Sequence, residues 1–187
     1  GDAGARQEYD RLTAAGRARL ASFPKPIIAR VRGFCLGGGL AIAMAADLRI
    51  AGRDSEFGIP AARLGIAYGF EMTEQLVALV GSAHARMMLY TGARLEAAEA
   101  ERIGLINRAV ADEDLSDTVA DLARSIADNA PLSVLAAKLI VNEATKAERE
   151  RDMERVQRAV AVCFDSQDYR EGRTAFMEKR TPRFAGR

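Results

Sequence analysis

Apolar residues fall into two regimes along this chain, short β-branched runs early and longer helix-period stripes late. From Ala5 to Phe23 a rough stripe of Tyr9, Leu12, Ala15, Ala18 and Phe23 alternates with Arg and Glu, which predicts an amphipathic helix. Pro24 and Pro26 stop it, because neither can continue the hydrogen-bond ladder. Ile27-Ile28-Ala29-Arg30-Val31, closed by Gly33, predicts a buried strand. Leu36-Gly37-Gly38-Gly39 leads into an Ala-rich helical stretch, Leu40 to Ala46, and Asp47 to Ala51, closed by Gly52, predicts a second short strand.

The later part reads as helical. Glu71 to Val80, Ala83 to Tyr90 and Glu96 to Ile103 are three predicted helices bounded by Gly81, Gly92 and Gly104. Leu105 to Val110 is a last strand. Beyond it the pattern predicts helices over Asp114–Asn129, Pro131–Thr145 and Glu148–Phe164, then a short closing helix over Tyr169–Lys179. Proline at 131 suits a helix start. No repeat, low-complexity tract or linker divides the chain. The expectation is an α/β fold, with a β-α core over residues 1–110 and a helical region over 111–187.

Composition narrows the function. The 187 residues are 49% hydrophobic, which fits a packed core. Lys plus Arg (27) nearly cancel Asp plus Glu (26), so no dedicated nucleic-acid surface is expected. No apolar run reaches the ~18 residues of a membrane span, and the expected location is cytoplasmic. Cys35 and Cys163 lie far apart in apolar surroundings and read as free thiols, a bridge being the alternative. The lone His84 and the lack of a CxxC leave no metal-ligand set, so neither metal nor cofactor is expected.

Three consecutive glycines between a strand and a helix need a physical reason. Glycine weakens a helix, so such a run either makes a tight turn or lets something approach the backbone closely. The amides of Gly37 to Gly39 would stand at the positive end of a helix dipole, where a phosphate or a developing oxyanion can be held. This is no Walker loop, since the Lys-Ser/Thr is missing, and it lacks the GxGxxG spacing of a dinucleotide site.

The wider string resembles the signature of the crotonase (enoyl-CoA hydratase/isomerase) family. The match runs through Pro26-Ile27-Ile28-Ala29, Leu36-Gly37-Gly38-Gly39-Leu40, Asp47-Leu48-Arg49, Phe57-Gly58-Ile59-Pro60 and Leu64-Gly65-Ile66. It continues through Thr91-Gly92, Gly104-Leu105-Ile106, Asp168-Tyr169-Arg170-Glu171-Gly172 and Ala175-Phe176-Met177-Glu178-Lys179-Arg180. The resemblance implies a spiral of β-β-α units, a helical C-terminal trimerisation region in a homotrimer or dimer of trimers, and an acyl-CoA thioester substrate. It assigns the Gly38 amide to an oxyanion hole, flanked by Gly37 and Gly39 in the substrate site. It further implies that Phe176 and Lys179 contact the CoA nucleotide, with the basic tail Lys179, Arg180, Arg183 and Arg187 suiting an anionic phosphate.

Two departures from the family pattern matter. An earlier half-domain supplies the second oxyanion amide in the family, and Gly1-Asp2 resembles the end of that loop, so the chain looks truncated. Hydratases of the family also carry glutamates two residues after the glycine triplet and directly after the Phe-Gly-x-Pro proline, where this chain has Ala41 and Ala61. Alanine neither activates water nor delivers a proton. Tyr68 offers different chemistry, since Leu64-Gly65-Ile66-Ala67-Tyr68 is similar to a stretch of the family's malonyl-type CoA decarboxylases, with one more residue between Pro60 and Gly65. There the tyrosine orients the departing carboxylate; packing at the pocket rim is the alternative. Glu71, three residues on and on the same face as Tyr68 if a helix has begun there, is a candidate base; a glutamate in a first helical turn serving the helix dipole is the alternative. A non-catalytic acyl-CoA-binding protein remains the other class of function.

Overall fold

The computed structural model describes residues 3–187. They form two compact units: the chain up to Phe23 with Ile27–Ala120, and Pro24–Pro26 with Asp121–Arg187.

The first unit begins with helix α1 (Ala3–Ala21). Its predicted stripe does not reach a core, since Tyr9, Leu12 and Phe23 are all exposed. Strands β1 (Ile28–Val31) and β2 (Phe34–Leu36) follow, then helix α2 (Gly38–Met44), and strands β3 (Leu48–Gly52) and β4 (Glu56–Gly58). A 3-10 turn, Pro60–Leu64, leads to helix α3 (Phe70–Thr91), strand β5 (Arg94–Glu96), helix α4 (Ala97–Arg102), strand β6 (Arg108–Val110) and the first residues of helix α5 (Leu115–Ala127), which runs on into the second unit after Ala120. Two three-stranded sheets result. One is parallel, in the order β1-β3-β6; in the other, β2 and β4 are parallel and β5 runs antiparallel to β4. Leu40, Phe57, Ile59, Leu76, Met88 and Leu105 fill the core without exposure above 2%. Each leucine or isoleucine buried to that degree contributes roughly 1.5–3 kcal/mol.

Several predicted boundaries move. The two helices expected on either side of Gly81 are one helix, α3, kinked at that glycine (φ 73°, ψ 164°). The strand expected over Leu105–Val110 shrinks to three residues, because the Leu105 and Ile106 amides both donate to the Ala100 carbonyl and close α4. The helix expected from Glu148 starts late. Residues 148–150 form a separate 3-10 turn, and Asp152 caps the next helix by accepting from the Arg155 amide at 2.8 Å. The Asp152 amide in turn donates to the buried Glu143 carboxylate at 2.9 Å, which pins the break.

The second unit is helical, with α6 (Pro131–Ala144), α7 (Met153–Asp165) and α8 (Gln167–Glu178). Ser166 caps α8, accepting from the Tyr169 amide at 3.0 Å. The tail folds back onto α8. Buried Asp168 accepts from the Ala185 and Gly186 amides, and Glu171 binds the Arg180 guanidinium with both oxygens, at 2.6 and 2.9 Å. Cys35 and Cys163 are both free. No helix among the described residues is long and apolar enough to cross a membrane.

Candidate functional site

Strand β2 ends at the glycine triplet beside β4, with Leu36 in register with Gly58. The Gly37 amide donates to the Gly58 carbonyl at 2.9 Å, and the Gly37 carbonyl accepts from the Ala41 amide at 3.0 Å. Gly37 has φ 51°, a left-handed value that disfavours a side chain, so the turn itself requires glycine there. Gly38 and Gly39 are different. They are exposed and take no left-handed φ, and a methyl group on either would meet nothing within 4 Å. Turn geometry therefore explains Gly37 alone, and the other two glycines leave an open approach to the backbone. Gly38 opens α2, where amides have no intrahelical acceptor. Among the described residues nothing accepts from it.

Ala41 and Ala61 both lie in the interior, at 0% and 7% exposure. After Ala61 the 3-10 turn closes at Gly65 (φ 68°), and the Ile66 amide returns to the Ala61 carbonyl at 3.1 Å. This turn brings Tyr68 back to the glycines. Its ring packs against the core, and its hydroxyl lies 3.5 Å from the Gly37 carbonyl, at the outer limit of a hydrogen bond. Burial pushes the Tyr68 hydroxyl up to about 12, with Arg17 of α1 pulling the other way and the Cys35 thiol adding to the rise. The phenol is thus protonated at neutral pH and can donate.

Glu71 does not join them through the helix. Gly69 is extended (φ −63°, ψ 154°) and caps α3, so Tyr68 precedes the helix and the three-residue spacing carries no shared face. Glu71 is exposed in the first turn of α3. Arg63, another cation near the turn, donates to the Thr91 carbonyl at 3.2 Å at the end of α3.

Arg49, quoted above only within the Asp47-Leu48-Arg49 match, has surroundings that sequence reasoning did not foresee. It is 4% exposed, and its guanidinium donates to the carbonyls of Ala46 (2.7 Å), Leu105 (2.9 Å) and, more weakly, Ala43 (3.5 Å). Burial draws its pKa down, and Asp47 works against that. The available signal was a charge between Leu48 and Ile50 within the predicted strand over Asp47–Ala51.

Phe176 and Lys179 belong to the second unit. Phe176 is 83% exposed and lines a groove of ≈530 Å³ with Phe164, Tyr169 and Phe184. Lys179 ends α8 in a left-handed conformation (φ 55°, ψ 38°) and is exposed.

The paired small sheets, the helical second unit and the glycine-opened α2 define a crotonase-type α/β fold. A family model described as Enoyl-CoA hydratase/isomerase matches residues 3–187, and the chain belongs to that family. It is 43% identical over 160 residues to a crotonyl-CoA hydratase of Syntrophomonas wolfei, covering 86% of this chain and 62% of that protein. It is 40% identical over 162 residues to a short-chain-enoyl-CoA hydratase of Clostridium acetobutylicum, covering 87% and 62%. The crystal structure of an enoyl-CoA hydratase from Bacillus anthracis superposes on the whole chain with a TM-score of 0.93 at 30% identity, covering 72% of that chain. The chain thus spans less than two thirds of the length of the two hydratases matched by sequence.

Proposed function

We propose that this chain carries the thioester-binding part of an acyl-CoA site and stabilises the enolate of the bound acyl group through the Gly38 amide. The observation that carries this reading is the open backbone at Gly38, whose freedom from packing the turn does not explain. A thioester carbonyl that accepts from this amide, and from a second donor supplied elsewhere, is polarised toward the enolate. Charge then gathers on oxygen as the α-carbon becomes a carbanion, and a fixed amide stabilises it without reorganising. The reaction needs no metal or cofactor beyond the CoA of the substrate, whose nucleotide Phe176 and Lys179 would contact.

Ala41 and Ala61 stand where family hydratases carry glutamates, so two-glutamate hydration is not the chemistry favoured. Loss of CO2 from a malonyl-type thioester asks less of side chains. The bond from the α-carbon to the carboxylate breaks, its electron pair forms the enolate, and a solvent proton completes the product. Tyr68, protonated and beside Gly37, would donate to the departing carboxylate. Isomerisation with Glu71 as base is less favoured, because Glu71 is exposed and lies outside the Tyr68 turn. A second reading, acyl-CoA binding without turnover, is favoured by the buried alanines at both glutamate positions.

Assembly with further copies, as a homotrimer or dimer of trimers in the cytoplasm, belongs to the same reading. Val160 and Phe164, four residues apart on one face of α7 and 38% and 60% exposed, supply an apolar face for it.

The test is to incubate the protein, as its gene encodes it, with enoyl-, malonyl-type and saturated acyl-CoAs and follow each thioester by mass spectrometry. Loss of CO2 from a malonyl-type ester, abolished by Tyr68→Phe, is the expected result. Water gain on an enoyl ester would refute the preference against hydration. Absence of turnover with a thioester retained would select the binding reading.

A further inference from the structure

We infer that Arg49 is a positioning residue for the oxyanion amide: its buried guanidinium clamps the far end of α2 and so holds Gly38 in place. The inference rests on the enolate-stabilising reading above.

The helix needs such a clamp. With seven residues α2 is too short to be stable alone, and glycines in its first turn weaken it further. No side chain caps its start. The start is tied down by the Gly37 amide on the Gly58 carbonyl. At the other end, helix carbonyls are left without intrahelical partners. Arg49 Nη1 donates to the Ala46 carbonyl, two residues past the last residue of α2, and lies 3.5 Å from the Ala43 carbonyl, which also accepts from the Ala46 amide. Its Nε holds the Leu105 carbonyl beyond α4. The planar guanidinium is therefore a crossbar between the end of α2 and the turn after α4. Its positive charge also stands at the negative end of the helix dipole.

An apolar side chain would fill this core site without the cost of desolvating a cation. What an apolar residue cannot do is join two backbone segments at fixed distances. Gly38 lies only roughly 9 Å along the axis from the last residue of α2, so a tilt released at one end reaches the other. Displacing a reacting group by about 1 Å can cost on the order of a hundredfold in rate.

The experiment compares the parent protein with Arg49→Met and Arg49→Lys, at a temperature where circular dichroism shows each folded. The readouts are the infrared carbonyl band of a bound 13C-labelled saturated acyl-CoA thioester and the affinities for that ester and for free CoA. In the parent the band moves to lower frequency than in water. In Arg49→Met most of that displacement is lost and the ratio of acyl-CoA to free-CoA affinity falls by about fivefold, the worth of one net hydrogen bond. Free-CoA affinity itself stays close to the parent's, which a general loss of structure would not allow. Arg49→Lys gives a broadened band of intermediate position, because one ammonium cannot span the carbonyls that Nε and Nη1 reach separately. It decides the matter if the methionine variant does not fold. A folded Arg49→Met, or failing that Arg49→Lys, with the parent's band overturns the clamp while leaving the oxyanion reading intact. A parent band unchanged from water overturns the oxyanion reading, and the clamp with it.

Discussion

Replacing Gly38 by proline removes the N–H on which the proposed chemistry depends and puts a ring methylene where its hydrogen stood, so the donor and the approach to it are lost together. Gly38 is the first residue of α2, the position where proline is best tolerated in a helix. The residue before it is Gly37, which has no Cβ to clash with the proline ring. A methyl at position 38 meets nothing within 4 Å, so Gly38→Ala keeps the amide and serves as the steric comparison. If the amide holds a developing oxyanion, its loss costs about 3 kcal/mol of barrier. At 1.36 kcal/mol per factor of ten, turnover in Gly38→Pro falls by about a hundredfold relative to Gly38→Ala. Ground-state affinity for the thioester changes less, by about fivefold, because a neutral carbonyl makes a weaker bond with the amide. The assay is single-turnover conversion of whichever thioester the mass-spectrometric screen identifies, with circular dichroism checking the fold. Equal turnover in the folded proline and alanine variants would refute the reasoning.

Three further outcomes follow from the geometry. Arg180 and the Arg183 amide hold the Glu171 carboxyl down to about 2, from an ordinary 4.5. Its stabilising contribution is therefore full above pH 4.5 and disappears as pH falls through 2, and the melting-temperature gap between parent and Glu171→Gln should close over that window; a gap independent of pH would contradict it. Lys179 pays a left-handed penalty of about 1 kcal/mol, so Lys179→Gly should raise the melting temperature by about 2–4 °C while weakening acyl-CoA binding; a lower melting temperature would contradict the conformational argument. Cys35 is buried and burial pushes its thiol up to about 11. Iodoacetamide should label the half-buried Cys163 first, as read by peptide mass spectrometry, and early labelling of Cys35 would show that β2 opens readily.

Much of the helical layout was legible because long stretches without internal glycine or proline lie between clear breaks, as in α5 and α6, which the break ending at Pro131 separates. Three strands were not. β2, β4 and β5 have three residues each, too few for alternation to register. Gly81 was visible as punctuation, but the sequence does not say whether a glycine with positive φ ends a helix or bends it. The glycine triplet drew attention by composition alone, yet the separate reason for each glycine needed coordinates, since only the backbone angle at Gly37 and the open space over Gly38 and Gly39 divide them. Tyr68 lies 31 residues from Gly37 in the chain, and the pairing depends on the intervening 3-10 turn. Arg49 was quoted in the family match but given no role, because a charge in a strand reads as surface until the carbonyls around it are seen.

The most direct test of enolate stabilisation is the affinity for a CoA analogue whose acyl group is replaced by a nitronate, which places negative charge where the enolate oxygen would lie. A site built for the enolate binds this analogue more tightly than the matching saturated acyl-CoA, by about a hundredfold or more. Gly38→Pro should erase most of that advantage. Equal or weaker binding of the analogue by the parent protein would mean that the glycine turn does not stabilise an enolate, and would contradict the proposed function at its base.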